Sequence, residues 1–398
     1  MTGTRIRGIL AAAAAAVILT ACGGGGAESG PSGTESGAVS KEQTAETRDP
    51  YFDVSGKKVG ISFPSEKDER WSRDGAWLKA QLEAEGCSCD LRYADAAEAQ
   101  EAQAASGSET EFSPAAQQAL DVAALLNNGC ELLIINSIGD DLIAESLAQA
   151  GASDIPVIAY DHLIRGSDAV KYFVSFDHYG MGCLEGKYVI DQLSLTSADA
   201  SKLYHIEFAA GDPSDVRDSY IFNGAYDTLK PYFDAGLLEA ATGDVSFKAV
   251  QTEGSSADAA RARLETVLSE NYADGPELSA IICTNDEVAL GAVKAVESAY
   301  KGKNKVIITG EGGSADTLAN VKAGKQAMTV CEDEAEEADV TLSLALTLLN
   351  GDVADANVIT DSEWDFDCRY DTSSYDNGRG IVPAYLLAPY VETSASLK

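Results

Sequence analysis

Basic residues are scarce in this chain. Lys and Arg number 29 against 64 Asp and Glu, a formal net charge of −35. A surface this acidic repels phosphate backbones, which excludes nucleic acid as a partner, and it gives no electrostatic hold on anionic lipid. Histidine is scarcer still, three in 398 residues. None lies beside the Cys87-x-Cys89 pair, which argues against a metal centre there. No Gly-x-Ser-x-Gly, His-Glu-x-x-His or P-loop occurs, and the glycine-rich run at 310–313 lacks the dinucleotide pattern. Asp365, Asp367 and Asp371 lack calcium-loop spacing. The expectation is a protein without catalytic residues, metal or cofactor.

The apolar run at 9–19 is too short to span a bilayer comfortably as a mature helix. Arg5 and Arg7 precede it, and Leu19-Thr20-Ala21-Cys22 and four glycines follow. The pattern resembles a bacterial lipobox, with cleavage before Cys22 and lipid attached to that cysteine; an ordinary secretory signal is the alternative. An exported protein tethered at the outer face of the cell membrane follows. Residues 23–55 then form a flexible Gly/Ser/Thr/Glu-rich spacer. Seven cysteines remain after Cys22, an odd number that leaves at least one thiol free. Cys331 with Cys368, or Cys87 or Cys89 with Cys130, are candidate bridges, while Cys183 and Cys283 read as buried apolar residues.

Hydrophobic content of 45% is ample for two cores. Strands are expected at 57–63, 89–93, 131–136, 156–160 and 171–176, with helices between them. The pattern restarts after Asp177, with strands at 202–208, 246–251, 278–283, 305–309 and 326–331. Residues 94–112 read as an exposed insertion and 381–391 as a closing extended segment. Alternating strands and helices imply parallel sheets, and this many strands favours two sheets of five or six over one.

The chain is organised around 155–180, where two apolar runs each stop on an acid and a histidine: Asp161-His162 and Asp177-His178. Ligands of open α/β sheets sit beyond the carboxyl ends of the strands. The other strand ends are equally polar: Glu69-Arg70-Trp71, Asp215-Val216-Arg217, Asn285-Asp286, Glu311 and Glu332-Asp333. Carboxylates accept hydroxyl hydrogen bonds, arginine donates in a fixed fork, and an indole face suits the C–H side of a sugar ring. Together they suit a neutral, hydroxyl-rich ligand. Asp177 and Asn285 also suit helix N-caps, Trp71 also suits a core, Trp77 suits a core better than a ligand site, and His162 and His178 also suit solvated loops.

The order ERW, IPVIAYDHLIR, SFDH, GDPSD, TNDEVALGAV, TGEGGSAD and YDNGRGIVPAYLL resembles the bacterial xylose-binding and multiple-sugar-binding proteins of the type I periplasmic binding family. The resemblance covers nearly all of 57–391. It implies two doubly wound α/β lobes joined by a three-segment hinge: 56–176 with 332–360 as the N-terminal lobe, and 177–331 with 361–398 as the C-terminal lobe. It implies a monosaccharide held in the cleft, xylose-like or a hexose, and delivery by a monomeric receptor to an ABC permease and its ATPase. A receptor of the same fold serving chemotaxis or a sensor, or an exported carbohydrate-active enzyme, is the alternative. Arg70, Trp71, Asp161, Asp177, Asn285 and Asp286 fall on the family's sugar-contacting positions. His162, His178, Asp215, Arg217, Glu311 and Glu332 stand at further contact positions. His162 replaces an arginine, His178 an asparagine and Glu332 a lysine, while Arg217 falls in an altered Asp-Asn-Asn run and Glu311-Gly312 replaces Gln-Asp. The pocket is thereby more acidic than the family's usual one.

Overall fold

The computed structural model describes residues 52–105, 112–199, 202–362 and 364–397. The signal and Cys22 lie outside the described residues. The first half alternates β1 (Lys58–Phe63), α1 (Glu69–Ala84), β2 (Ser88–Tyr93), α2 (Ala97–Ala105), α3 (Pro114–Asn127), β3 (Leu132–Ile135), α4 (Asp140–Ala152), β4 (Val157–Tyr160) and β5 (Val170–Phe176). Then come α5 (His178–Leu193), β6 (Tyr204–Ala209), α6 (Val216–Asp234), β7 (Leu238–Glu239), α7 (Phe247–Val250), α8 (Ala257–Asn271), β8 (Leu278–Cys283), α9 (Asp286–Ala299), β9 (Ile307–Ile308), α10 (Ala315–Lys322) and β10 (Met328–Cys331). The chain closes with α11 (Glu334–Asn350), α12 (Asn357–Asp361), β11 (Cys368–Asp371), β12 (Ala384–Leu387) and β13 (Tyr390–Thr393).

Every residue of β3, β4 and β8 is buried, as expected of parallel strands covered by helices on both faces. The first sheet has the order β11-β12-β5-β4-β3-β1-β2, parallel except for the edge strand β11. The second has the order β7-β6-β8-β9, all parallel. A bridge between Glu311 and Val330 carries it on to β10, against which β13 lies antiparallel. Each order reverses once, at β1/β3 and at β6/β8. Such switch points open a crevice at the carboxyl ends of their strands.

The chain passes between the lobes three times: from β5 to α5, from β10 to α11, and from β12 to β13. The Asp177 amide donates to the Leu387 carbonyl at 2.9 Å, joining the first crossing to the third. Helices on the cleft side begin with side-chain caps. Asp68, Asp177, Asp215 and Asn285 accept from backbone N–H groups at 2.9–3.0 Å and so fix where α1, α5, α6 and α9 start. The helices α5 and α6 meet at glycines: a Cβ on Gly182 would lie 1.8 Å from the Ile221 carbonyl oxygen, and one on Gly224 would lie 2.0 Å from that of Tyr179. These two helices therefore pack backbone to backbone as one body.

Three expectations are corrected. Residues 246–251 form no strand; Phe247–Val250 is a helical turn in which only Val250 is buried, and the strand neighbouring β6 is the short β7. Residues 361–398 do not join the second lobe as a block, because β11 and β12 extend the first sheet and only β13 reaches β10. The cause is the fully buried run Ala384–Leu387, which pairs in parallel with β5. Lastly, Cys183 is half-buried rather than core, and all seven described cysteines are free thiols, so neither candidate bridge forms. Trp77 packs against the first-lobe core. Among the described residues no helix is long and apolar enough to cross a membrane.

Candidate functional site

The loops after β1, β3 and β4 form one wall of the crevice. Arg70, in the first turn of α1, reaches Asp161 at 3.0 Å and Glu337 of α11 at 2.7 Å through Nη2. Its Nε lies 3.8 Å from Asp74 and 3.7 Å from Glu334. The guanidinium sits over the Trp71 ring at 4.5 Å, and that indole packs edge-on to Phe63 and Tyr160. Trp71 is thus a platform for Arg70. Asp161 adopts φ 60°, a left-handed conformation that acidic and amide side chains tolerate better than most. Behind it, Asn136 donates to the Tyr160 carbonyl at 3.0 Å and reaches Asp161 at 3.4 Å, while the Tyr160 hydroxyl donates to Asp74 at 3.0 Å.

The hinge crossings form the floor. His178, at the start of α5, and Glu332, between β10 and α11, face each other with Nε2 and Oε1 3.6 Å apart, beyond hydrogen-bond distance. The opposite wall comes from the second lobe. Asp215 caps α6 and pairs with Arg217 at 3.3 Å. Asn285 caps α9 through Oδ1 while its Nδ2 donates to Asp218 at 3.0 Å and Ser255 at 3.3 Å. Glu311 is buried where β9 bridges to β10.

The electrostatics tie these walls together. Burial would lower the Arg70 pKa, but Asp161 and Glu337 overcome it and hold the guanidinium above its ordinary value. Burial would raise the Asp161 carboxyl, but Arg70 first, then Arg217 and His178, hold it below the usual carboxylate range. Arg217, its side chain half-exposed, is held above its ordinary value by Asp215, Glu311, Asp161 and Glu332. A cation of the second lobe therefore acts on an anion of the first. Burial, then the neighbouring Glu332, pushes Glu311 well above the carboxylate range; burial, then Asp161, does the same to Glu337. The site accordingly offers a carboxylate acceptor in Asp161, cationic forks in Arg70 and Arg217, and two further buried carboxyl groups in Glu311 and Glu337.

Arg70 and Asp161 touch, His178 and Glu332 face each other, and Arg217 and Glu311 lie close enough to act on them electrostatically. The other expected contacts do not present free side chains to this cluster. His162 is half-exposed and turns to Asp140 at 3.5 Å. Asp177 caps α5 and pairs with Arg369 at 3.0 Å. Asp286 is buried and accepts from Gly313 N at 2.6 Å, Ser314 N at 3.1 Å and Thr329 Oγ1 at 2.9 Å, so it builds the glycine loop under the site. Sequence reasoning missed Asp74, Asn136, Asp218 and Glu337. Asn136 ends the apolar run ELLIIN and was open to the same strand-end rule. Asp74 is one helical turn from Arg70, and Glu337 is an acid on the apolar face of α11.

Four polar atoms at the first wall and floor are buried with no hydrogen bond inside the protein: Arg70 Nε, Glu337 Oε1, His178 Nε2 and Glu332 Oε1. Each costs about 1–3 kcal/mol if left unsatisfied. Buried groups of this kind take a polar partner, whether water or a ligand.

The sequence profile of the periplasmic binding protein domain family matches residues 59–352. The chain belongs to that family, in its type I sugar-binding branch. The multiple sugar-binding periplasmic protein SbpA of Azospirillum brasilense is 30% identical over 334 residues, covering 83% of this chain and 84% of the relative. The multiple sugar-binding periplasmic receptor ChvE of Rhizobium radiobacter is 29% identical over 343 residues, covering 85% and 88%. Among solved structures, an ABC transporter solute-binding protein from Clostridium phytofermentans with bound β-D-glucose is 36% identical, with a TM-score of 0.63 and coverage of 85% of this chain and 94% of that one. As a type I periplasmic sugar-binding protein, the chain works outside the cytoplasm.

Proposed function

We propose that this receptor captures a neutral monosaccharide, a xylose-like pentose or a hexose, between its lobes and delivers it to an ABC permease driven by an ATPase. The observation that carries the reading is the Arg70–Asp161 pair of one lobe, at 3.0 Å, under the electrostatic influence of Arg217 from the other, beside buried polar atoms without a hydrogen bond inside the protein. Guanidinium forks that donate and carboxylates that accept match the mixed donors and acceptors of sugar hydroxyls. The names of SbpA and ChvE, and the glucose in the Clostridium protein, support the same ligand class.

In this reading binding is hinge closure. The sugar first meets the Arg70–Asp161 wall, and the second lobe then swings over it through the three crossings. Closure excludes water, so each matched hydrogen bond strengthens and each mismatched hydroxyl leaves a buried group unpaired. Epimers are separated by that penalty. Cys22 carries the lipid that keeps a monomeric receptor at the outer face of the membrane, and the protein performs no chemistry on the sugar.

Titration calorimetry of the protein against D-xylose, D-glucose, D-galactose, L-arabinose and myo-inositol tests the proposal. At least one aldose binds with micromolar or tighter affinity; heatless titrations across all five, with the protein folded, reject it.

A further inference from the structure

The polar stretch 368–380 holds none of the residues named in the proposed site, yet it is tightly held. Its β11 strand lies in the first sheet. Asp371 accepts from the backbone N–H groups of Ser373 at 2.8 Å and Ser374 at 2.9 Å, closing a tight turn. Asn377 donates to the Ser167 carbonyl at 2.9 Å and its own carbonyl accepts from Gly166 N at 2.7 Å. Tyr375 is buried against Phe173 of β5, ring centroids 5.1 Å apart. The whole stretch is bolted to the first lobe.

From there it makes two contacts with the second lobe. Arg369 Nη2 donates to Asp177 Oδ2 at 3.0 Å, at the cap of α5. The Tyr375 ring meets the Tyr220 ring on α6 at 5.7 Å. Since α5 and α6 pack backbone to backbone at Gly182 and Gly224, both contacts grip one rigid body. Tyr220 follows Arg217 by three residues, so the two share a face of α6. The grip therefore acts one turn away from the cation that the second lobe brings to the cleft.

We propose that residues 368–380 form an interlobe clasp in which Arg369 and Tyr375 hold the α5–α6 pair through Asp177 and Tyr220, and so set ligand affinity by positioning Arg217. Arg369, Tyr375 and Tyr220 are positioning residues, and the clasp rests on the cleft reading only for its effect on sugar. Its mechanical part stands alone: without the clasp, the ligand-free lobes spend less time together. Apparent affinity falls with the fraction of binding-competent molecules, so a loss to about a tenth of that fraction raises Kd about tenfold.

The test uses the full chain carrying Arg369→Gln with Tyr220→Leu. The expected result is a larger radius of gyration by small-angle X-ray scattering without ligand, and Kd for D-glucose raised about tenfold. Tyr220→Phe, which keeps the ring, retains wild-type values in both measurements. Should the double variant fail to fold, Asp177→Asn keeps an N-cap while removing the ion pair, and it shifts both readouts in the same direction. Unchanged scattering from a folded variant overturns the clasp, as does an equal loss in Tyr220→Phe. If wild type itself binds no sugar, the ligand reading falls and the scattering arm still decides the clasp.

Discussion

Asp161→Asn should weaken sugar binding by ten- to a hundredfold or somewhat more while leaving the fold in place. Asparagine has the same shape, and it tolerates the left-handed φ of 60° at this position. Arg70 keeps its 2.7 Å bond to Glu337, so the guanidinium does not leave the wall. What is lost is one charged acceptor. A hydrogen bond to a charged group contributes about 1.5–3 kcal/mol, and about 1.4 kcal/mol is tenfold in Kd. Calorimetry with D-glucose or the tightest-binding aldose reads the effect, with thermal unfolding as the control. Because the folded-state pKa of Asp161 is depressed, its carboxylate also stabilises the fold above the unfolded-state pKa. That contribution is lost as the pH falls through the depressed value. The variant should therefore melt below wild type at neutral pH, and the gap should close in strong acid. A Kd within twofold of wild type in a folded variant would refute the reasoning.

Three further expectations concern the frame around the site. Asp286→Asn should cost about 2–3 kcal/mol of stability in urea unfolding, since its carboxylate serves two backbone N–H groups and Thr329; an unchanged midpoint would show that the glycine loop does not need it. Glu311→Gln should raise the melting temperature increasingly as the pH rises above the ordinary glutamate value of 4.5. The native carboxyl holds its proton more tightly than the unfolded one, so wild-type stability declines as pH rises above that value; a gap independent of pH would contradict the assignment. Gly182→Ala should destabilise by about 3 kcal/mol, because no room exists for a methyl group 1.8 Å from the Ile221 carbonyl oxygen; wild-type melting would mean the helices separate freely.

Much of the fold was legible because buried parallel strands are continuous apolar runs. The expected strands at 156–160 and 171–176 became Val157–Tyr160 and Val170–Phe176. The closing segment was harder. Ala384–Leu387 is as apolar as a central strand, but its partner β5 lies more than two hundred residues earlier, and no local signal names the lobe it joins. At the site, the strand-end rule named Arg70, Asp161, Arg217 and Glu311, the residues on which the proposed site is built. The same rule cannot say whether an acid faces a ligand or its own helix. Asp177 and Asn285 are N-caps, and Asp286 turns inward to a loop twenty-seven residues away. Glu337 escaped because a lone acid on an apolar helix has no pattern; only the 2.7 Å contact with Arg70 gives it meaning.

A crystal structure of the protein grown with saturating D-glucose tests the central claim most directly. The account predicts one pyranose ring enclosed by both lobes, with its hydroxyls bonded to Arg70 and Asp161 on one side and to Arg217 on the other. Glucose bound elsewhere, or a ring touched by one lobe only, would contradict it.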